Sequence, residues 1–298
     1  MHVAVTGSTG LVGSHLIPQL ETQQHQVSRM VRNEPTGEGQ IRWDPSGELT
    51  DTAALNGIDG VVHLAGENIS GGRWTDKMKQ RIRDSRVVGT KTLCEDLAAL
   101  SENPRVLVCA SAIGYYIHGG DQILDETSPA GEGFLSEVVQ EWEAATQPAS
   151  DAGIRVVNLR IGVILSPEGG ALEKMLTPFK MGVGGRVGSG QQYWSWVALD
   201  DVIGAILHAL NNDALNGPAN ATSPNPVTNL EFTKTLGKVL KRPTIFPMPA
   251  FAARLALGQM ADELLLSSQR IHPVKLQEHG YEFEYPDLEN ALRHRLQK

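Results

Sequence analysis

The chain has 298 residues, a hydrophobic share of 41% and a formal net charge of -8. That length buries a sizeable core as one large domain or two, and the acidic balance argues against broad attraction to nucleic acid or anionic membranes, so neither is expected as a partner. Cys94 and Cys109, the two cysteines, each lie in an apolar stretch, which favours neither a disulfide framework nor a zinc site and makes reducing cytosol the simplest compartment.

Val3 to Thr6 read as a strand of the kind buried in a parallel sheet, so close to the first residue that no cleavable leader is expected. Gly7, Ser8, Thr9, Gly10, Leu11, Val12 and Gly13 follow, and Val12, Leu16 and Leu20 then repeat at helical spacing. Glycines spaced three apart between a strand and a helix let the backbone turn sharply and approach a pyrophosphate, with helix N-terminal amides facing the phosphates. These seven residues are therefore the expected cradle of a dinucleotide.

Gln26 to Val31 form a second strand, and a polar Gly/Pro-rich segment carrying Trp43 and Asp44 leads to another at Gly60 to Ala65. The stretch from Arg73 through Val88 and Thr90 to Leu100 reads as helix, Val106 to Ala110 as a strand ending at Ser111, Leu135 to Ala149 as helix, and Val156 to Ile164 as strand. Strands alternating with helices imply an α/β fold, a Rossmann-type doubly wound parallel sheet. No apolar run approaches the roughly 18 residues of a membrane span.

Beyond Ser166 glycine and proline become frequent and elements shorten, which predicts a dinucleotide-binding domain over 1–165, its sheet completed by later segments. A smaller α+β substrate lobe over 166–298 would cover the cleft. Helices are expected at Asp201 to Leu210, Asn229 to Leu240, Arg254 to Leu266 and Leu288 to Leu296. Gly182 to Trp196 combines glycines with Arg186, Tyr193, Trp194 and Trp196, a composition suited to a substrate lid or to a long structural hairpin. Asp200 and Asp201 precede a helix, where a carboxylate N-cap is the simplest role.

An acid ending the second strand would select NAD through the ribose 2′-hydroxyl. Here Val31 stands at that place and Arg32 follows, a guanidinium fork suited to a 2′-phosphate, so NADP(H) is the expected cofactor.

In order along the chain, Thr6 to Gly13, Asp59 to Gly66, Gly89-Thr90, Ser111, Arg160 and Asp200-Asp201 resemble the extended short-chain dehydrogenase/reductase superfamily, its nucleotide-sugar epimerase/dehydratase group. Gly66-Glu67, Arg73-Trp74, Ser85-Arg86, Gly114-Tyr115-Tyr116, Trp142-Glu143, Ser195-Trp196 and the tail at about 247–295 resemble the epimerase-family branch that includes bacterial YfcH-like proteins, with its own C-terminal domain of unknown function. The resemblance implies an NADP-binding Rossmann protein with Leu64, Ala65, Gly66 and Glu67 along the cofactor and Arg86 in place of a helix asparagine. A small-molecule substrate and a homodimer are further expectations.

Superfamily chemistry uses a tyrosine acid/base with a lysine four residues later to lower its pKa. Aligned from Ser111, those places hold Phe134 and Val138, an atypical active site. Ser111 could still donate to a carbonyl, with Tyr116 or Tyr115 as a replacement acid or as a packing ring. Arg160 could hold an anionic substrate or pair with a carboxylate; Arg186 and Trp196 are further substrate candidates. His63, mid-strand, is expected to be a satisfied core histidine. Two functions follow: an NADP(H)-dependent oxidoreductase or epimerase-like enzyme, and a silent NADP(H)-binding sensor or regulatory module.

Overall fold

The computed structural model describes residues 1–46 and 52–297. Seven strands make one parallel sheet: β1 (His2–Thr6), β2 (Gln26–Val31), β3 (Gln40–Arg42), β4 (Gly60–His63), β5 (Val106–Ala112), β6 (Arg155–Ile161) and β7 (Gly217–Ala221). Their spatial order, β7-β6-β5-β4-β1-β2-β3, reverses direction at β1, the place where an open α/β sheet leaves a crevice beyond its strand ends.

The sheet is apolar because both of its faces are covered. One face buries Val3, Val5, Val62, Val108 and Val157 against Leu16 and Leu20 of helix α1 (Leu11–Thr22) and Val202, Ile206 and Leu210 of a later helix, α6 (Leu199–Asn211). The other buries Ala4, Val61, Leu107 and Cys109 against Leu93 and Leu97 of α2 (Asp76–Ala98) and Trp142 of α3 (Phe134–Ala144). A further helix α4 (Gln147–Asp151), with Pro148 in its first turn, takes what the sequence offers as one helix through Ala149. Gly89 lies inside α2 because Pro45 packs there, 3.1 Å from where a Cβ would stand.

Two strand expectations change. The polar segment before Trp43 contains β3, and Trp43 itself is buried against Ile41, Ile58 and Leu93. The strand through Ile164 is broken at Gly162, where a Cβ would lie 2.7 Å from the Ser195 carbonyl oxygen, and Val163–Leu165 leaves the sheet to pair with Trp196–Ala198. The seventh strand, β7, comes from Gly217–Ala221 and pairs with β6.

A second apolar cluster is built from α5 (Gly170–Lys180), α7 (Asn229–Leu240) and α10 (Leu288–Leu296), with α8 (Ala250–Leu257) and a π-helical segment Ala261–Leu266 beside it, whereas α9 (Val274–Glu278) packs Leu276 into the sheet core next to β7. Gly258, at φ 64°, divides α8 from the π-helical segment where one helix is expected. Leu172, Leu176, Trp194, Trp196, Phe232, Leu236 and Leu292 form the core of that cluster. Asp201 is not an N-cap: Ala198 holds that position, and the buried Asp201 carboxylate accepts from the backbone N–H groups of Glu284 (2.7 Å) and Tyr285 (3.0 Å), tying the tail to α6. Among the described residues no helix is long and apolar enough to cross a membrane.

Candidate functional site

The glycine turn lies between β1 and α1 as the spacing predicts. Gly7 has φ 64° and a Cβ there would stand 2.7 Å from the Leu64 carbonyl carbon, so the loop after β4 packs directly on it. At Gly13 a Cβ would overlap the Gly7 carbonyl oxygen, which brings α1 tight against the turn. Gly10 caps the helix without a side-chain hydrogen bond, so the first-turn amides are left to an external acceptor. Thr9 and Gly10 are exposed, Leu11 and Val12 half-buried and Ser8 buried. A cradle with no side chains at its closest points and unused helix amides fits a pyrophosphate.

The turn is braced from behind. Thr6 Oγ1 is 2.7 Å from His63 Nδ1 and accepts from the amides of Leu64 and Ala65 at 3.0 and 3.2 Å. His63 Nε2 meets Thr90 Oγ1 at 3.0 Å, and complete burial pushes the His63 pKa down to about 4. His63 is thus a neutral, fully hydrogen-bonded core residue.

Beyond β4, Gly66 is exposed, and the Glu67 carboxylate pairs with Arg81 at 2.7 Å while its amide donates to Ser85 Oγ. Arg86 donates to the Glu67 and Ile82 carbonyls and lies 5.1 Å from the centre of the Trp142 ring; burial lowers its pKa to about 10. Its guanidinium therefore holds the loop at Gly66 and Glu67 onto α2 and α3. Arg32, exposed just past β2, adds its charge to the serine hydrogen bonds and Arg42 that hold Asp44 below the usual carboxylate range.

At the end of β5 the buried Ser111 hydroxyl donates to Glu143 Oε1 on α3 at 2.6 Å. Arg160, on β6, donates from Nε to the same oxygen at 2.8 Å, from Nη2 to Glu143 Oε2 at 2.7 Å and from Nη1 to the Tyr116 oxygen at 2.9 Å. Tyr116 in turn donates to Asn220 Oδ1 of β7 at 2.7 Å, and the Tyr115 ring covers the guanidinium at 3.5 Å. Burial opposes the Arg160 charge, yet Glu143 outweighs it and raises its pKa. Burial pushes Tyr116 up to about 12.

Arg160 pairs with a carboxylate. Tyr116 is a buried phenol that donates to Asn220 and accepts from Arg160, and the Tyr115 ring lies over the Arg160 guanidinium. Glu143 is the member of this group that sequence reasoning misses as a site residue, although Trp142-Glu143 is among the branch features. Its signal is its place one turn beyond Val139 on α3, a carboxylate at the border of a buried stripe.

Phe134 and Val138 lie in an apolar cluster with Trp74, Ile82 and Met260. Glu263 Oε2 there accepts from the Leu135 amide at 2.8 Å, so the tail caps the first turn of α3.

Of the two roles open to Gly182–Trp196, its contacts favour a structural one. Gly182–Trp196 is stitched down: Arg186 donates to the carbonyls of Gly188 and Ser189, the Met248 amide to Arg186 O (2.8 Å), and Gln192 Nε2 to the carbonyls of Val187 and Leu265. Trp196 is fully buried and donates to Asn225 O, a core residue without a substrate-facing surface. Arg186 turns onto its own loop because Gly190 leaves room for its stem.

Residues 3–221 match the model of the NAD dependent epimerase/dehydratase family. The chain belongs to that family. It therefore has the NAD(P)-binding Rossmann fold of the group, and residues 248–294 match a domain of unknown function, DUF1731. Similar proteins include Epimerase family protein Mb2239 of Mycobacterium bovis, 43% identical over 97% of this chain and 96% of its own. The chloroplastic SDR39U1 homolog of Arabidopsis thaliana is 38% identical over 98% of this chain and 86% of its own. The crystal structure of human epimerase family protein SDR39U1 with NADPH covers 100% of both chains with a TM-score of 0.92 and 33% identity.

Proposed function

We propose that the chain binds NADP(H) and acts as an oxidoreductase or epimerase-like enzyme on a carbonyl or hydroxyl substrate, with Ser111 and Glu143 moving the proton in place of a tyrosine–lysine pair. The observation that carries this is the 2.6 Å hydrogen bond from Ser111 to Glu143, at the end of β5. Arg32 in place of an acid after β2, together with a human relative solved with NADPH, supports the phosphorylated dinucleotide.

Bound in the cradle, the cofactor supplies a nicotinamide that gives or takes a hydride. The chain's own part is the proton: Ser111 Oγ accepts it from a substrate hydroxyl while passing its own to Glu143. Arg160 fixes both carboxylate oxygens, so Glu143 keeps one direction toward Ser111. Leu64, Ala65, Gly66 and Glu67 line the cofactor in this reading, and the 166–298 lobe covers the substrate. Cytosolic placement and a homodimer belong to the same reading.

A second reading, the silent NADP(H) sensor, draws on the apolar cluster of Phe134, Val138 and Met260 where the acid/base pair would stand. Calorimetry and turnover separate them. Arg32→Ala should weaken NADPH about tenfold or more and leave NADH nearly unchanged, the loss expected for a charge-assisted pair; equal losses sink the selectivity argument. Glu143→Gln should abolish oxidation of NADPH by a panel of carbonyl and nucleotide-sugar substrates while NADPH still binds. A wild-type protein that binds NADPH and turns over no member of the panel, with activity gained in Phe134→Tyr/Val138→Lys, establishes the silent reading instead.

A further inference from the structure

We propose that the face built from residues 180–188 and 242–255 docks onto an anionic lipid bilayer. Ten large apolar side chains are exposed among the described residues, and seven of them, Met181, Val183, Ile245, Phe246, Met248, Phe251 and Leu255, fall on these two stretches. A concentration of this kind marks a contact surface, whereas singly scattered apolar residues do not.

The two stretches are held side by side. Arg242 Nε donates to the Lys180 carbonyl at 2.9 Å, the Met248 amide to Arg186 O at 2.8 Å and the Gly188 amide to Met248 O at 2.9 Å. On α8, Phe251 and Leu255 are one turn apart and 73% and 76% exposed, while Ala253 on the inward side is buried with Val187 and Ala261. Leu257 joins Ala253 on the inward side, while Phe251 and Leu255 leave a second apolar face turned outward. Pro243, Pro247 and Pro249 carry no N–H, so this segment has fewer backbone donors to take out of water.

Charge identifies the occupant. Residues 174–199 and 232–261 hold eight lysines and arginines and no aspartate or glutamate, in a chain of net charge -8. Lys238 and Arg254 are paired with Glu289 and Asp262 from neighbouring segments. Lys180, Lys241 and Arg242 are exposed beside the apolar residues, and no ion pair to them occurs among the described residues. A second copy seated symmetrically on this face would set those cations against themselves. An anionic bilayer meets both features, apolar side chains entering the interface and cations meeting the headgroups. The acidic balance of the whole chain, which argues against membranes, does not hold for this face, where Lys180, Lys241 and Arg242 stand exposed beside the apolar residues.

The test is sedimentation of the full-length protein with vesicles of phosphatidylcholine alone and of phosphatidylcholine mixed with phosphatidylglycerol, at low and high salt. The mixed vesicles should retain the protein at low salt, release it as salt rises, and outbind the neutral ones. Lys241→Glu/Arg242→Glu, with a thermal melt to check folding, should lower partitioning by about tenfold or more. Phe251→Ser/Leu255→Ser should lower it with the cations intact. No retention on mixed vesicles, or equal retention on neutral ones, overturns the proposal. So does a dimer, seen by light scattering, that the same serine substitutions disperse.

Discussion

Ser111 by itself reads as a strand-end serine; what gives it chemical meaning is the carboxylate 2.6 Å away. Glu143 is locked by Arg160, and both side chains are nearly closed to water, at 13% and 3% exposure. Removing one partner of such a pair strands a buried charge. Glu143→Ala should therefore lower stability by about 3–5 kcal/mol, read from the denaturation midpoint, whereas a surface pair such as Lys91 with Glu95 should cost under about 1 kcal/mol. Equal small effects would mean that the Arg160 network is not a stabilising unit. Tyr116 belongs to the same unit: held near pKa 12 by burial, it stays a phenol at neutral pH and positions Arg160 and Asn220.

At the scale of elements, His63 joins β1, β4 and α2 through Thr6 and Thr90, with Trp43 edge-on to its ring at 5.5 Å. Its folded pKa of about 4 lies below the 6.5 of an unfolded histidine, so the unfolded chain binds the extra proton first. The linked stability is complete above pH 6.5 and is lost as pH falls from 6.5 towards 4, a total of roughly 3 kcal/mol. Thermal melts between pH 7 and 4.5 should show this loss, and His63→Gln should flatten the slope; an unchanged slope refutes the assignment.

The elements also show what a sequence can disclose. The glycine turn, the missing acid after β2 and the buried His63 are legible because each depends on neighbours along the chain. Glu143 meets Ser111 across 32 positions, and β7 pairs with β6 across two whole helices, so no local pattern reports them. β3 is only three residues long, too short for a two-residue alternation to register. The glycine-rich loop misleads for a different reason: its glycines admit close neighbours, such as the Phe246 carbonyl against Gly185, and so fasten the loop instead of freeing it. Gly162 likewise reads as part of a continuous strand until the Ser195 backbone beside it is known.

For the molecule as a whole, the tail is part of the fold. Asp201 binds residues 281–285 to α6, Gly204 leaves room for the Tyr281 phenol, and Glu263 caps α3. Asp201→Ala leaves two buried-side amides without acceptors and should cost about 2–3 kcal/mol. Hydrogen exchange should then quicken at Glu284, Tyr285 and α10 while β1 stays protected; uniform quickening would mean that the tail and sheet open as one.

The position of β7 has a consequence for synthesis. The outer edge of β6 is finished long before its partner, since Gly217–Ala221 emerges only after α5, Trp196–Ala198 and α6 have been made. Until then a growing polypeptide carries a bare apolar border on its sheet, a template to which other nascent chains can add. Only when those five residues have left the ribosome's exit tunnel can they cover it.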